Sequence, residues 1–150
     1  MNYERYIKEG LIKKATPDFK QIEAQLDRAQ KDMKTADEIR KIDITWAYTI
    51  IYHALVRAGR ALIYSKGHLP TAKHAHKTIV ELTANILGPE YEALCSHFNR
   101  MRRRRNDFIY DAMNHISEQE AVASYATAKS LLDKIREIIE TDNPQTKLGI

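Results

Sequence analysis

Apolar side chains recur every three to four positions along most of this chain, which is the spacing of helices that bury one face. No stretch alternates apolar and polar residues in the way that half-buried strands do. The pattern predicts helices over about residues 2–14, 17–36, 43–65, 71–87, 89–111 and 117–141. The predicted fold class is therefore all-α, an antiparallel up-and-down bundle of about five to six helices with short loops.

Residues that start and end helices separate these stretches. Thr16 before Pro17 is typical of an N-cap followed by the first helical position, where proline is tolerated. Gly88 ends the fourth stretch, and Ser117 with Glu120 three positions later forms a capping box before the last one. The third stretch has an apolar stripe of mostly small residues, which would let a neighbouring helix approach closely: Ala47, Ile51, Ala54, Ala58 and Ala61.

Length and composition fit one domain. The chain has 150 residues, of which 43% are hydrophobic, and this is enough for a real core. We predict an N-terminal helical extension over residues 1–42, a core bundle over 43–141 and a flexible tail over 142–150. The charged N-terminus and the lack of an apolar run of membrane-spanning length predict a cytoplasmic protein with no membrane partner.

Cysteine and histidine positions give little support to a metal or disulfide site. Cys95 is the single cysteine, and its place beside an apolar stripe predicts a buried, unreactive thiol. The six histidines include no His-x-x-x-His pair, so neither a metal nor another cofactor is expected. His76 falls on the apolar stripe of the fourth predicted helix, where a hydrogen-bonded core histidine is the usual outcome.

Four consecutive arginines, Arg102 to Arg105, lie in the middle of the fifth predicted helix. Arg105 falls on the apolar stripe of that helix, with Leu94, Phe98, Met101, Phe108 and Ala112. A second, polar face collects Asn99, Arg103, Asn106 and Tyr110. The net charge of the chain is only +4, so its basicity is local and suits a phosphate or nucleic-acid partner bound through one patch.

Each of these arginines has a structural and a functional interpretation. A buried charge is too costly to persist alone, so Arg105 either pairs with a carboxylate of another helix or belongs to a functional site. Arg102, Arg103 and Arg104 either form a solvated basic face or bind phosphate. If Arg105 is held in the core, replacing it with alanine should lower thermal stability more than the same replacement of Arg104.

The order of these segments resembles the HEPN superfamily (higher eukaryotes and prokaryotes nucleotide-binding) over roughly residues 43–140. The similar parts are an alanine- and arginine-rich third helix, a His76-Lys77 pair in the fourth, an Arg-rich fifth helix and a long closing helix. HEPN ribonucleases carry an Arg-x(4–6)-His motif in which Asn often follows the Arg. Arg105 and Asn106 match its start, and Tyr110 stands where the catalytic His would be.

The resemblance implies a two-fold homodimer whose arginine helices lie near the axis. It also implies a site in which Arg105 and Tyr110 hold the catalytic positions and four neighbours contact RNA or phosphate: Arg102, Arg103, Arg104 and Asn106. Tyrosine, with an ordinary pKa of about 10, is a poor base at neutral pH. The resulting expectation is a protein that binds RNA or a nucleotide, with weak or no catalysis.

Two alternatives to binding without catalysis stay open. One is a metal-independent ribonuclease toxin paired with a nucleotidyltransferase-type antitoxin, which in related pairs can modify a tyrosine near the motif, here Tyr110. In such an enzyme His115, five residues further on, could replace the missing base. The other alternative is a structural or partner subunit with no ligand, whose arginines maintain solubility and a dimer interface.

Overall fold

The computed structural model describes residues 2–147, and side chains as far as Gln145. Its elements in chain order are α1 (Tyr3–Lys8), β1 (Ile12–Lys14), α2 (Phe19–Ile39), α3 (Ile44–Ser65), β2 (His68–Pro70), α4 (Ala75–Leu87), α5 (Glu92–Tyr110), α6 (Glu118–Asp142) and α7 (Pro144–Lys147). A 3-10 turn, Pro89–Tyr91, leads into α5. Long helices hold most of the described chain, which confirms the predicted all-α bundle.

The N-terminal segment differs from its prediction. A helix over residues 2–14 was wrong beyond α1, because Gly10 adopts a left-handed backbone conformation, with a φ of 73°, soon after that helix ends. The chain then forms β1, which pairs antiparallel with β2 and places Ile12 opposite Pro70. A strand of three residues is too short to show a periodicity in the sequence. The same pairing occupies residues 68–70, and α4 consequently begins at Ala75 rather than near residue 71.

Helix α3 is the centre of the molecule and contacts α2, α4, α5 and α6. The small stripe predicted for it is buried in full. Helix α2 contributes five buried residues to the same core: Ile22, Leu26, Ala29, Met33 and Ala36. Helix α2, which lies within the predicted N-terminal extension, therefore packs into the same core as α3.

Polar side chains cap the helices that position the site. The predicted N-cap Thr16 was wrong, since the side chain of Asp18 accepts hydrogen bonds from the backbone N–H groups of Lys20 and Gln21 at 3.1 and 3.2 Å. A carboxylate also interacts favourably with the positive end of a helix dipole. Ser117 caps α6 as predicted, accepting from the backbone N–H of Glu120 at 3.1 Å.

The C-terminal part of the chain continues beyond the predicted bundle. Helix α6 extends to Asp142, and the one-turn helix α7 follows within the segment predicted as a tail. Asn143 between them is buried, and its side-chain amide donates to Glu23 at 3.4 Å. Residues 148–150 of the predicted tail lie outside the described residues.

Candidate nucleotide-binding site

Helix α5 turns its consecutive arginines towards different neighbours. Its buried face comprises Cys95, Phe98 and Met101, as the apolar stripe predicted, and burial raises the pKa of the Cys95 thiol to about 11. The predicted stripe was one turn too long, because α5 ends at Tyr110 and Ala112 is exposed in the following loop. Successive side chains point about 100° apart around a helix, so each arginine meets a different environment.

Arg104 is the structural arginine of the tract. Its Nε atom donates to Glu120 of α6 at 3.0 Å, and its guanidinium also donates to the side chain of Asn114 and to the carbonyl of His115. These bonds fasten the loop between α5 and α6 to the start of α6. The interpretation in which Arg105 pairs with a carboxylate of another helix is therefore wrong for the described residues, since Arg104 makes that pair. Arg104 can make these bonds because its side chain lies beside Asn114 and His115 of the loop between α5 and α6.

Arg105 has no such partner. Its side chain is half-buried, and its Nε atom is fully buried without a hydrogen-bond partner among residues 2–145. No carboxylate in that range forms an ion pair with it, although buried polar groups normally have partners. Arg105 borders two cavities. One, of about 530 Å³, lies against Trp46 and Phe108, and the other, of about 480 Å³, lies against the start of α4.

Two histidines lie next to Arg105. His53 of α3 borders the first cavity, His76 of α4 borders the second, and their ring centroids are 6.1 Å apart. Burial lowers the pKa of each imidazole below its ordinary value, and the charge of Arg105 lowers both further. Both rings are consequently neutral at pH 7. As predicted, His76 is hydrogen-bonded: its Nδ1 atom lies 2.8 Å from the Tyr52 hydroxyl.

Sequence reasoning missed His53. The residue stands in the middle of a largely buried helix, 52 positions before Arg105, and no spacing rule connects them. Their proximity depends on how α3, α4 and α5 pack together. The available signal was a single polar residue within the apolar stretch from Ile50 to Val56, which marks a position where the helix can border a cavity.

The remaining arginines face a groove of about 830 Å³ between α4 and α5, the α4–α5 groove. It is bordered by Lys77, Arg100, Arg102 and Arg103, against two carboxylates. One of these, Glu81, accepts a hydrogen bond from Tyr6 at 2.8 Å. Neither Arg102 nor Arg103 forms an ion pair with any described side chain, and Arg102 Nε donates to the Asn99 amide oxygen at 3.1 Å.

Comparison with known proteins gives the family. The family model described as the HEPN domain matches residues 22–140, most of the chain. This chain belongs to the HEPN family. No curated protein and no solved structure matches it. Membership of the HEPN family supports a nucleotide- or RNA-related function in general, and the match begins within α2, which agrees with the part of α2 in the core.

The HEPN motif positions are separated in a single copy of the chain. The side chain of Arg105 borders one cavity with His53 of α3 and another with His76 of α4. Tyr110 is the last residue of α5, is 88% exposed and borders neither of these two cavities. The predicted neighbours divide in the same way. Arg102 and Asn106 share the second cavity with Arg105, Arg103 borders only the α4–α5 groove, and Arg104 is held by Glu120.

The described residues of this HEPN domain give less support to a metal site, a membrane-spanning helix or a catalytic role for His115. Among residues 2–145, no group of three or more His, Cys, Asp or Glu side chains is placed to hold a metal ion. No helix of the described part combines the length and the hydrophobicity that crossing a bilayer requires. His115, the candidate substitute base, is exposed on the loop, where its carbonyl accepts from Arg104.

Proposed function

We propose that this HEPN domain binds RNA or a nucleotide through the basic surface of α4 and α5, with weak or no catalysis at Tyr110. The observation that carries the proposal is the contrast within the arginine tract. Arg104 is ion-paired with Glu120, whereas Arg102, Arg103 and Arg105 have no carboxylate partner among the described side chains. Guanidinium groups that are free of protein carboxylates can donate paired, charge-assisted hydrogen bonds to phosphate oxygens.

A two-fold homodimer is part of this proposal. Large apolar side chains are exposed around the start of α3 and the C-terminus of α5, namely Ile42, Trp46, Ile109, Tyr110 and Met113, and Trp46 and Ile109 border the same cavity. Exposed apolar residues in such numbers are typical of interaction surfaces. A second copy docked there would bring two α5 helices together and join their arginines into one cleft. Sedimentation of the wild type beside Trp46→Ser tests this contact, because loss of the dimer in the variant is expected.

The experiment that tests binding is the salt dependence of RNA affinity. Each arginine that contacts a phosphate releases counterions, so the affinity should fall steeply as salt rises. Arg102→Gln and Arg103→Gln should each weaken binding and flatten that salt dependence. Arg28→Gln is the matched control, since Arg28 lies on α2 and pairs with Asp32 at 2.8 Å. A flat salt response, or equal losses in all three variants, would contradict the proposal.

The second candidate function is metal-independent RNA cleavage, and the position of His53 beside Arg105 favours it. A neutral imidazole can accept the proton of a 2′-hydroxyl while the 2′-oxygen bonds to phosphorus and the bond to the 5′-oxygen breaks. Solvent then protonates the leaving oxygen, and Arg105 would stabilise the charge on the phosphate. A toxin of this type would have a nucleotidyltransferase-type antitoxin as its partner, for which Tyr110 would be the candidate target.

Cleavage of total RNA without added metal separates the two functions. We expect intact RNA with the wild type if binding is the function. If the wild type cleaves, loss in His53→Ala with activity kept in Tyr110→Phe assigns the base to His53. Loss in Tyr110→Phe assigns a working role to tyrosine instead. A folded protein that neither binds nor cleaves RNA would leave the structural or partner-subunit role.

A further inference from the structure

We propose that the cavity between the N-terminus of α4 and the middle of α5 binds a terminal phosphate, that is, a phosphate monoester of a nucleotide or of an RNA end. We call it the Arg105 cavity. The inference rests on the proposed function and makes it more specific, since it names the group that is recognised and needs only one copy of the chain. It therefore differs from the expectation of a cleft formed by two copies of the chain, and from that of a site that binds the internal phosphodiesters of RNA.

The charge of the Arg105 cavity is the first support. Its volume is about 480 Å³, and three cationic side chains border it: Lys77 from α4, and Arg102 and Arg105 from α5. The Asn106 amide adds a neutral polar group, and no carboxylate of the described chain borders the cavity. Three positive charges that converge without a counter-charge repel one another, and an anion between them removes that repulsion.

The second support is Arg105 itself. Its Nε–H is fully buried and has no acceptor in the part of the chain that the structure describes. A buried donor without a partner costs about 1–3 kcal/mol, and more when it is charged. A phosphate oxygen in the cavity would provide the missing acceptor.

The backbone at the start of α4 is the third support. His74 occupies the N-cap position in a left-handed conformation, with a φ of 51°, and its side chain makes no capping hydrogen bond. The first backbone N–H groups of a helix have no acceptor within that helix, so those of Ala75, His76 and Lys77 depend on an outside group. Helix N-termini of this kind favour phosphate, because their N–H groups and the helix dipole both attract negative charge.

Tyr52 determines which ring nitrogen of His76 carries the proton. Tyr52 is completely buried, and its hydroxyl has the Nδ1 atom of His76 as its hydrogen-bond partner, at 2.8 Å. Burial raises the pKa of the Tyr52 phenol, so the phenol stays protonated. Its buried O–H has Nδ1 of His76 as its one hydrogen-bond partner among the described residues, and a buried donor needs an acceptor, so we assign the proton of this bond to the Tyr52 hydroxyl. The neutral imidazole then carries its own proton on Nε2. His76 therefore presents a hydrogen-bond donor, as phosphate recognition requires, and Tyr52 is a positioning residue.

The number of donors favours a monoester over a diester. A phosphate monoester carries a charge of about −1.5 to −2 at neutral pH and offers three terminal oxygens. An internal phosphodiester carries a single negative charge and offers two. Three cations, a helix N-terminus and a neutral donor match the larger charge better. Terminal phosphates occur both on free nucleotides and on RNA ends, and this chemistry is common to the two.

Calorimetric titration of the full chain with inorganic phosphate, adenosine 5′-monophosphate and adenosine tests the inference. We expect both phosphates to bind and adenosine not to bind. Lys77→Gln and Arg102→Gln should each weaken monophosphate binding about tenfold, which corresponds to the loss of one charge-assisted hydrogen bond. Arg136→Gln is the matched control, because it makes the same charge change on α6, where Arg136 donates to Asp27 at 3.3 Å, and does not border the Arg105 cavity. It should change the affinity less than twofold.

Two outcomes would overturn the inference. One is no binding of either phosphate by the folded wild type. The other is an equal loss in Arg136→Gln and Arg102→Gln, which would indicate a diffuse basic surface. Paired oligoribonucleotides with a 5′-phosphate or a 5′-hydroxyl distinguish this failure from failure of the proposed function. Equal, salt-dependent binding of the two oligonucleotides would remove the monoester site and leave RNA binding intact, whereas no binding of either would remove both.

Discussion

Neighbouring residues of the arginine tract have different roles because one helical position turns a side chain by about 100°. Arg104 meets Glu120 and the loop before α6, whereas Arg105 meets His53, His76 and two cavities. The sequence placed Arg105 correctly on the apolar side of its helix. It could not show which arginine would find a carboxylate, since Glu120 lies on another helix beyond a loop.

The first prediction concerns the stability of Arg104→Ala. This change leaves Glu120, the Asn114 side chain and the His115 carbonyl without their common donor. Glu120 is 42% exposed, so water offsets part of the loss, and we expect the free energy of unfolding to fall by about 1–2 kcal/mol. Urea denaturation measures it. Arg103→Ala, at an exposed position of the same helix, should stay within about 0.5 kcal/mol of the wild type.

Arg105→Ala should destabilise the protein less than Arg104→Ala does. The reason is that it removes a buried donor that has no protein partner. If Arg105→Ala proves the more damaging of the two, the assignment of Arg104 as the structural arginine is wrong. The same variant should lose phosphate binding, which separates the contribution of Arg105 to a ligand from its contribution to folding.

At the scale of elements, helical periodicity predicted α3, α5 and α6 well because each buries one continuous face. Elements governed by long-range pairing were missed. The strand β1 exists because it pairs with β2, almost sixty residues away, and nothing within three residues reveals such a partner. The candidate site has the same character. Arg102, Arg105 and Asn106 were found as a local motif, whereas His53 and the start of α4 join them only through helix packing.

The close approach of α3 and α4 gives the second prediction. A Cβ atom at Gly59 would lie 2.6 Å from Cγ2 of Ile79 and 2.8 Å from the Thr83 hydroxyl, both on α4. Gly59→Ala should therefore push the helices apart at a cost of about 1–3 kcal/mol, against a gain in helix propensity of about 1 kcal/mol, so the net loss of stability should reach about 2 kcal/mol. Thermal denaturation measures the loss, and phosphate titration should show weaker binding because His76 and Lys77 move with α4.

A double-mutant cycle tests the cause of that loss. Ile79→Ala removes the nearer of the two obstructing atoms, so Gly59→Ala should cost less in the Ile79→Ala background than in the wild type. Strictly additive effects would mean that contact with Ile79 is not the origin of the damage. The outcome bears on function as well, since the spacing of α3 and α4 sets the distance between His53 and His76.

At the scale of the whole molecule, the charge distribution fits the nucleotide- or RNA-related function that the HEPN family supports. The net charge of +4 is small, but the cations of α4 and α5 converge while most other charged residues are scattered over the helices. Composition predicted a single basic patch for this reason. It could not predict that three histidines would be half-buried and neutral, because their pKa values depend on the packing around them.

These histidines give the last prediction, a loss of stability in mild acid. Burial is the main cause that lowers the pKa of His53, His76 and His97 in the folded protein. The unfolded chain, in which a histidine has its ordinary pKa of about 6.5, binds protons first as the pH falls. The stability contributed by the neutral rings is therefore complete above that value and is lost as the pH falls towards the folded-state pKa values. The melting temperature should decrease steadily from pH 7 to pH 5.

His97→Gln tests whether the histidines cause this loss of stability. His97 borders neither the two cavities beside Arg105 nor the α4–α5 groove, and it has hydrogen-bond partners of its own. Its Nδ1 atom is 2.7 Å from the Thr127 hydroxyl, and its Nε2 atom is 3.3 Å from the hydroxyl of Ser124. The variant removes one of the three groups, so its melting temperature should change less between pH 7 and pH 5 than that of the wild type, whatever its stability at pH 7. An identical pH dependence would exclude His97 as a source of the acid-induced loss of stability.

Saturating phosphate should oppose this loss of stability in acid, because it binds the folded state, and a variant that lacks Lys77 should lose the protection.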